Sequence, residues 1–286
     1  MLLALDTSTR LASIALYSGA RGLISEYTWH SANQHTVELM PAIARMLAQA
    51  KMTPADLLAV AVALGPGSFT GLRVALAAGK GLAIARNLVL LGVPTLDVVA
   101  YPHRKAHSIR PGSREPERSP GSRDRIVYWG QPLPVIALLQ AGRGRVCWAS
   151  YPQGQESTLD SSRIPRTGAV SGIAGQNRVV DGLAAPTPYT LDTLVGLMDS
   201  ITYPAFFAGE LASADRAWLS QRMGAGSRLA SPALAAGRAG YLAEIAWERF
   251  AAGERDDLAT LNPIYLHDPA MTHSALSSRG EEGGKA

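Results

Sequence analysis

Leu64-Gly65-Pro66-Gly67-Ser68-Phe69-Thr70-Gly71-Leu72-Arg73-Val74 joins an apolar run, Leu57 to Leu64, to a stretch of small residues that ends near Asn87. The run reads as a buried strand and the stretch after it as a helix. Glycines at such a switch allow positive φ or a close approach to another group. Ser68 stands where it can cap the helix, whose first N–H groups are otherwise unpaired. A turn of this kind suits either an anion or another piece of backbone.

The phosphate readings fail on detail. A P-loop carries Gly-Lys-Ser/Thr at its end, but Gly71 is followed by Leu72 and Lys80 by Gly81. The dinucleotide fingerprint needs a third glycine where Thr70 stands, and Pro66 has no N–H to donate.

Upstream, Leu2 to Leu5 forms a short buried strand ending in Asp6-Thr7-Ser8-Thr9, with strands Ala12 to Tyr17 and Leu23 to Trp29 behind it. A helix follows from Asn33 to Ala50. Actin-like and sugar-kinase-like domains begin in this order, which would put Asp6, Thr7 and Ser8 near a nucleotide and its metal. The plainer account is a polar turn closed by local hydrogen bonds. Downstream, Pro134 to Gln140 and Arg145 to Tyr151 make a second hairpin like the first, which fits internal duplication. Helices from Leu191 to Ser200, Leu211 to Arg222 and Pro232 to about Ala252, a strand from Ala205 to Ala208 and a closing segment from Thr260 to Leu266 complete the reading.

The chain has 286 residues, 47% of them hydrophobic, enough for a sizeable core. One cysteine, Cys147, excludes an internal disulfide framework. The N-terminus meets Asp6 too early for a signal peptide, and no apolar run nears the ~18 residues of a membrane span. These features lead us to expect a cytoplasmic protein. The formal net charge of +4 sits in one place: His103 to Arg125 holds seven Lys/Arg against three acidic residues, leaving the remainder balanced. That stretch is also proline-rich and lacks aromatic residues on which bases could stack. The expected division is residues 1–102, a basic insertion or linker over 103–131, a second unit over 132–268, and a disordered tail over 269–286.

Both helices of the first unit carry more apolar surface than one sheet needs. On the first, Thr36, Leu39, Met40, Ile43, Leu47 and Ala50 form a stripe that Val37, Ala44 and Met46 widen beyond the ~100° of a core-facing helix, with Pro41 implying a tolerated kink. The second, Phe69 to Asn87, has only Arg73, Lys80 and Arg86 as charged residues. Ala75, Gly79 and Ala83 share one row that permits close helix approach. We expect Thr36, Leu39, Met40, Ile43, Leu47, Phe69, Leu76, Gly79 and Ala83 to meet a partner, with Arg73 and Lys80 at the rim. The alternative cover is the chain's own second unit.

These motifs resemble the bacterial TsaB (YeaZ-type) family. The resemblance lies in Asp6 to Thr9, His35 to Ile43, Gly65, Pro66, Gly67, Ser68, Thr70 and Gly71 with Arg73, Gly92 to Leu96, Gly144 to Ala149, and Pro263 to Leu266. It implies an α/β, actin-like ATPase (ASKHA) fold of two tandem RNase H-like subdomains. The function it implies is that of a non-catalytic dimerisation subunit in the synthesis of tRNA threonylcarbamoyladenosine. The implied partners are a TsaD-type catalytic subunit and a TsaE-type ATPase, a second copy when TsaD is absent, and tRNA indirectly. No cofactor is implied for this chain alone; ATP/ADP and metal would belong to partner subunits or a shared interface. Gln140 departs from the aspartate that related proteins usually place on the second hairpin, which weakens metal-dependent nucleotide turnover. Two rival readings are an ATP-dependent phosphotransferase using Asp6, and a glycoprotease-like metallopeptidase of M22 type using His103 and His107. The latter pair sits in basic, proline-flanked sequence expected to be a loop. Cys147 is expected to pack, and His30 and His35 to cap or face solvent.

Overall fold

The computed structural model describes residues 1–32, 34–108, 133–142, 144–152, 189–235 and 238–266. Most of the expected basic insertion (109–131) and the tail (269–286) lie outside them.

The first sheet contains β1 (Leu2–Asp6), β2 (Leu11–Ser18), β3 (Gly22–His30), β4 (Ala59–Ala63) and β5 (Val89–Val93). Its order is β3-β2-β1-β4-β5. β1, β2 and β3 form an antiparallel meander, while β4 and β5 run parallel to β1. β1 and β4 are buried along their whole length, as expected for central strands with both faces covered. One face is covered by α1 (His35–Gln49) and α2 (Phe69–Arg86).

The second sheet repeats the first. It contains β6 (Val135–Gly142), β7 (Arg145–Tyr151), β8 (Thr190–Thr193), β9 (Phe206–Glu210) and β10 (Arg228–Leu229). Its order, β8-β7-β6-β9-β10, matches the first sheet strand for strand, as does the pattern of antiparallel and parallel pairs. One face packs on α4 (Leu194–Ser200) and α5 (Ser213–Arg222). The duplication suspected from the hairpins therefore extends to the whole topology.

The remaining helices exchange sheets. α3 (Thr95–Ser108) follows β5 of the first sheet, but Leu96, Val99 and Ala100 join the core of the second. α6 (Arg238–Ala251) lies late in the chain yet buries Leu242, Ala243, Ile245 and Ala246 against the first. An ion-pair cluster pins α6 there: the Arg249 Nη1 donates to the Gly92 carbonyl (2.7 Å) while Nη2 meets Asp256 Oδ1 (3.1 Å). Asp256 Oδ2 in turn accepts the Gly92 N–H (2.7 Å). The segment after α6 also returns to the first sheet, the Ile264 N–H donating to the Leu64 carbonyl (2.7 Å). Residues 238–266 thus pack with residues 1–93, a division different from the one expected at 132–268. Residues 103–108, expected to open a loop, are the last turns of α3. Among the described residues, no helix is long and apolar enough to cross a membrane.

Candidate functional site

The Gly65–Gly71 loop rests on the first hairpin turn. The Ser68 N–H donates to the Ser8 carbonyl (2.6 Å), and Thr7 Oγ1 donates to the Gly71 carbonyl (2.7 Å). A Cβ on Gly71 would collide with the Thr7 carbonyl oxygen, and one on Gly67 with that of Ser8. Gly65 has φ +104°, where L side chains are strained, and exchanges hydrogen bonds with Thr95. Ser68 caps α2 by accepting the Gly71 N–H (3.2 Å), with Thr70 exposed beside it. Gly67 and Gly71 admit backbone, and the group they admit is the chain's own Thr7–Ser8.

Asp6 lies at the end of β1 and is fully buried. Its Oδ1 accepts the Ser8 N–H (2.9 Å) and the Ser8 hydroxyl (2.5 Å). Its Oδ2 faces Arg238 Nε at 3.3 Å, and Arg238 is itself only 3% exposed. Arg238 also donates through Nη2 to Thr9 Oγ1 (2.7 Å) and to the Leu11 carbonyl (3.0 Å). The Thr9 hydroxyl in turn donates a hydrogen bond to Glu210 Oε2 (2.6 Å), at the end of β9. The Arg238 guanidinium thus links Asp6 and Thr9 of the first sheet to Glu210 of the second. On the far side of Arg238, a cavity of about 10 Å³ is lined by Val98, Val99, Pro102, Glu210 and Tyr241.

The other expected chemical groups are committed elsewhere. Gln140 Nε2 donates to Asp215 (2.6 Å) and its Oε1 accepts the Ala212 N–H (2.8 Å), tying β6 to the start of α5. Cys147 is buried on β7, and burial pushes its thiol up to about 12, so it is protonated at neutral pH. His103 is buried with its ring 4.8 Å from that of Phe206. The side chain of His107 lies outside the description. Among the described residues, no cluster of three His, Cys, Asp or Glu could hold a metal. His35, expected at the surface, is instead 4% exposed at the start of α1. Its Nδ1 has no hydrogen-bond partner, and burial holds its pKa below the usual histidine value against the pull of Glu38 and Asp6.

The helix pair divides the expected contact residues in two. Leu39, Ile43 and Leu47 on α1, and Leu76, Gly79 and Ala83 on α2, are buried in the chain's own core. A Cβ on Gly79 would meet Val62 Cγ1 at 2.7 Å and Leu90 Cδ1 at 3.3 Å, so the small-residue row serves helix-on-sheet packing. That corrects the assignment of these six to a partner surface. The cause is depth: α2 lies directly on β4 and β1 and α1 on β2 and β3, and the larger half of each stripe is needed there. Thr36, Met40, Phe69 and Arg73 remain exposed, and Lys80 is half-buried. The sequence reading left out of its contact set the most exposed large hydrophobic residues of the two helices, Val37 (65%) and Ile84 (71%). Helical spacing could have found Ile84, which lies four and seven positions from Lys80 and Ala77, themselves on the outer face.

The start of α2 carries one more feature. Arg73 lies with its guanidinium 3.8 Å from the Phe69 ring centre, its Nε donating to Tyr265 Oη (3.0 Å). The Phe69 and Tyr265 rings are 5.1 Å apart. Phe69, Arg73 and the end of the described chain therefore form one stacked unit beside the outer helix face.

Comparison with known proteins follows the same lines. The family model described as TsaD, tRNA N6-adenosine threonylcarbamoyltransferase, matches residues 23–114. A tRNA threonylcarbamoyladenosine biosynthesis protein TsaB from Buchnera aphidicola subsp. Schizaphis graminum (strain Sg) is 29% identical, the match covering 50% of this chain and 65% of that protein. The protein of the same description from Escherichia coli (strain K12) is 28% identical over 54% of this chain and 56% of its own length. That from Bacillus subtilis (strain 168) is 36% identical over 35% and 43%. The chain thus spans between 43% and 65% of these relatives. Among solved structures, YeaZ from Pseudomonas aeruginosa superimposes with a TM-score of 0.57 at 24% identity, covering 93% of this chain and 99% of that one. A second, titled as an uncharacterized protein with similarity to peptidase YEAZ from Pseudomonas aeruginosa, gives 0.60 at the same identity and coverage. At that identity the likeness establishes the fold, an actin-like, RNase H-like α/β arrangement.

Proposed function

We propose that this chain, a TsaB/YeaZ-type family member, is a non-catalytic scaffolding and activating subunit in tRNA threonylcarbamoyladenosine biosynthesis. Within that reading, its two repeated sheets are the tandem subdomains of an ASKHA fold whose nucleotide cleft has been given over to structure. The observation that carries this reading is the Asp6–Arg238 pair: the carboxylate that would serve a metal nucleotide is buried, hydrogen-bonded and ion-paired within the chain. Its Oδ1 takes two hydrogen bonds from Ser8 and its Oδ2 faces the Arg238 guanidinium, so a metal would have to displace that cation.

Function then has to reside at a surface. The outer faces of α1 and α2 adjoin and carry Val37, Met40, Phe69 and Ile84 exposed, on helices that begin at the same end of the sheet. A TsaD-type catalytic subunit docked there would bury at least ~1,200 Å² in a stable complex. Its own active site would be ordered by that contact, and a TsaE-type ATPase would act on the assembled pair. In its absence a second copy could take the same face, and tRNA would be met through the partner.

The test is transfer itself. The purified chain, given tRNA and an activated threonylcarbamoyl donor, is expected to modify nothing; addition of the TsaD-type and TsaE-type subunits restores modification. Transfer by this chain alone would overturn the reading. Magnesium-dependent ATP turnover abolished by Asp6→Ala, with no partner present, would instead favour a phosphotransferase.

A further inference from the structure

The three nitrogens of the buried Arg238 guanidinium are not equally engaged. Nε faces Asp6 Oδ2 at 3.3 Å, and Nη2 donates to Thr9 Oγ1 and to the Leu11 carbonyl. Nη1 is buried as well, yet it has no hydrogen-bond partner among the protein groups around it. Glu210 Oε2 stands 3.8 Å from Nη1, attracted by charge but beyond hydrogen-bond reach. A buried guanidinium N–H without an acceptor is unfavourable, and native structures nearly always supply one. Arg238 and Glu210 both line the cavity of about 10 Å³ whose remaining wall includes the apolar side chains of Val98, Val99 and Pro102. That volume is the least that holds one water molecule.

Size and charge together select the occupant. A cation would be repelled by the guanidinium and an anion by the Glu210 carboxylate. An organic molecule is too large. A water is neutral, fits, and can accept a hydrogen bond while donating another, which is what this pair of groups requires. We propose that one ordered water is bound in this cavity, accepting from Arg238 Nη1 and donating to the Glu210 carboxylate. Two such bonds are within the usual range for a buried water. The two sheets are then joined here by one direct hydrogen bond, Thr9 to Glu210 (2.6 Å), and by one carried through water. The Arg238–Glu210 pair is a water-bridged ion pair, and a bridge of this kind is nearly as favourable as a direct bond.

The test is a high-resolution crystal structure of the full-length chain, paired with oxygen-17 relaxation dispersion in solution, which counts long-lived internal waters. Wild type is expected to show density for one water within about 3.2 Å of both Arg238 Nη1 and a Glu210 carboxylate oxygen. Glu210→Met keeps the length of the side chain and removes its acceptor. That variant is expected to lose this water and to lower the count of long-lived waters by one. A dry cavity in wild type, or Nη1 bonded directly to Glu210, would overturn the proposal. An unchanged count in Glu210→Met would overturn it equally. Should that variant fail to fold, the wild-type density decides the matter alone.

Discussion

At the scale of single residues, the molecule is organised around charges that have been taken out of water. Arg238 and Asp6 are both buried, and each is left with one polar atom lacking a hydrogen bond. Such a pair adds little net stability, but removal of one partner strands the other. We expect Arg238→Ala to cost about 3–5 kcal/mol in urea unfolding, and the double change Asp6→Asn with Arg238→Met to recover much of that loss. His35 acts in the opposite sense because it is buried without a partner for Nδ1. Its folded pKa lies below the ordinary value of 6.5, so the unfolded chain takes up a proton first as pH falls. The His35 contribution is complete above that value and is lost as pH drops through the folded pKa. The melting temperature of wild type is therefore expected to fall more steeply below about pH 6.5 than that of His35→Gln. Parallel curves would remove His35 as the cause.

At the scale of elements, sequence pattern went a long way and then failed for a definable reason. The alternation of Leu2 to Trp29, the apolar run before Gly65 and the second hairpin each specify their strands, because period and length are local properties. The α2 cap at Ser68 was equally legible. Which side of a helix faces its own sheet was not. Leu39, Ile43 and Leu47 share a wide stripe with Met40 and Val37, and only the tertiary arrangement divides that stripe into inner and outer halves. Arg238 was missed because its partner Asp6 lies more than 200 residues away and nothing in the local sequence announces the pairing. The two faces of α2 can be separated experimentally. Gly79→Leu should destabilise the fold, since its side chain would have to displace Val62 and Leu90. Ile84→Asp, on the outer face, should leave unfolding within about 0.5 kcal/mol of wild type and weaken partner binding. A stable Gly79→Leu protein would reverse this account of which face is which.

At the scale of the whole molecule, the exchange of α3 and α6 makes the two sheets mutually dependent. α6 seals the first sheet, α3 seals the second, and the two helices also touch one another. Latches at either end reinforce this: Arg238 joins Asp6 and Thr9 to Glu210, and Arg249 joins β5 to the segment after α6. A fragment ending at Ser108 would leave Leu2, Ala61 and Leu91 without the helix that covers them. It is expected to aggregate or to unfold without a cooperative transition, and a cooperative thermal melt of that fragment would contradict the interdependence.

The late position of α6 also sets a timetable for synthesis. While the ribosome is still reading the second sheet, the early strands have been released with one greasy side bare, and they stay so until the codons beyond Arg238 are translated. A nascent chain in that condition is a substrate for holdase chaperones. Stalling translation before α6 should therefore leave the chain bound to such factors, whereas release of the finished chain from the ribosome should free it.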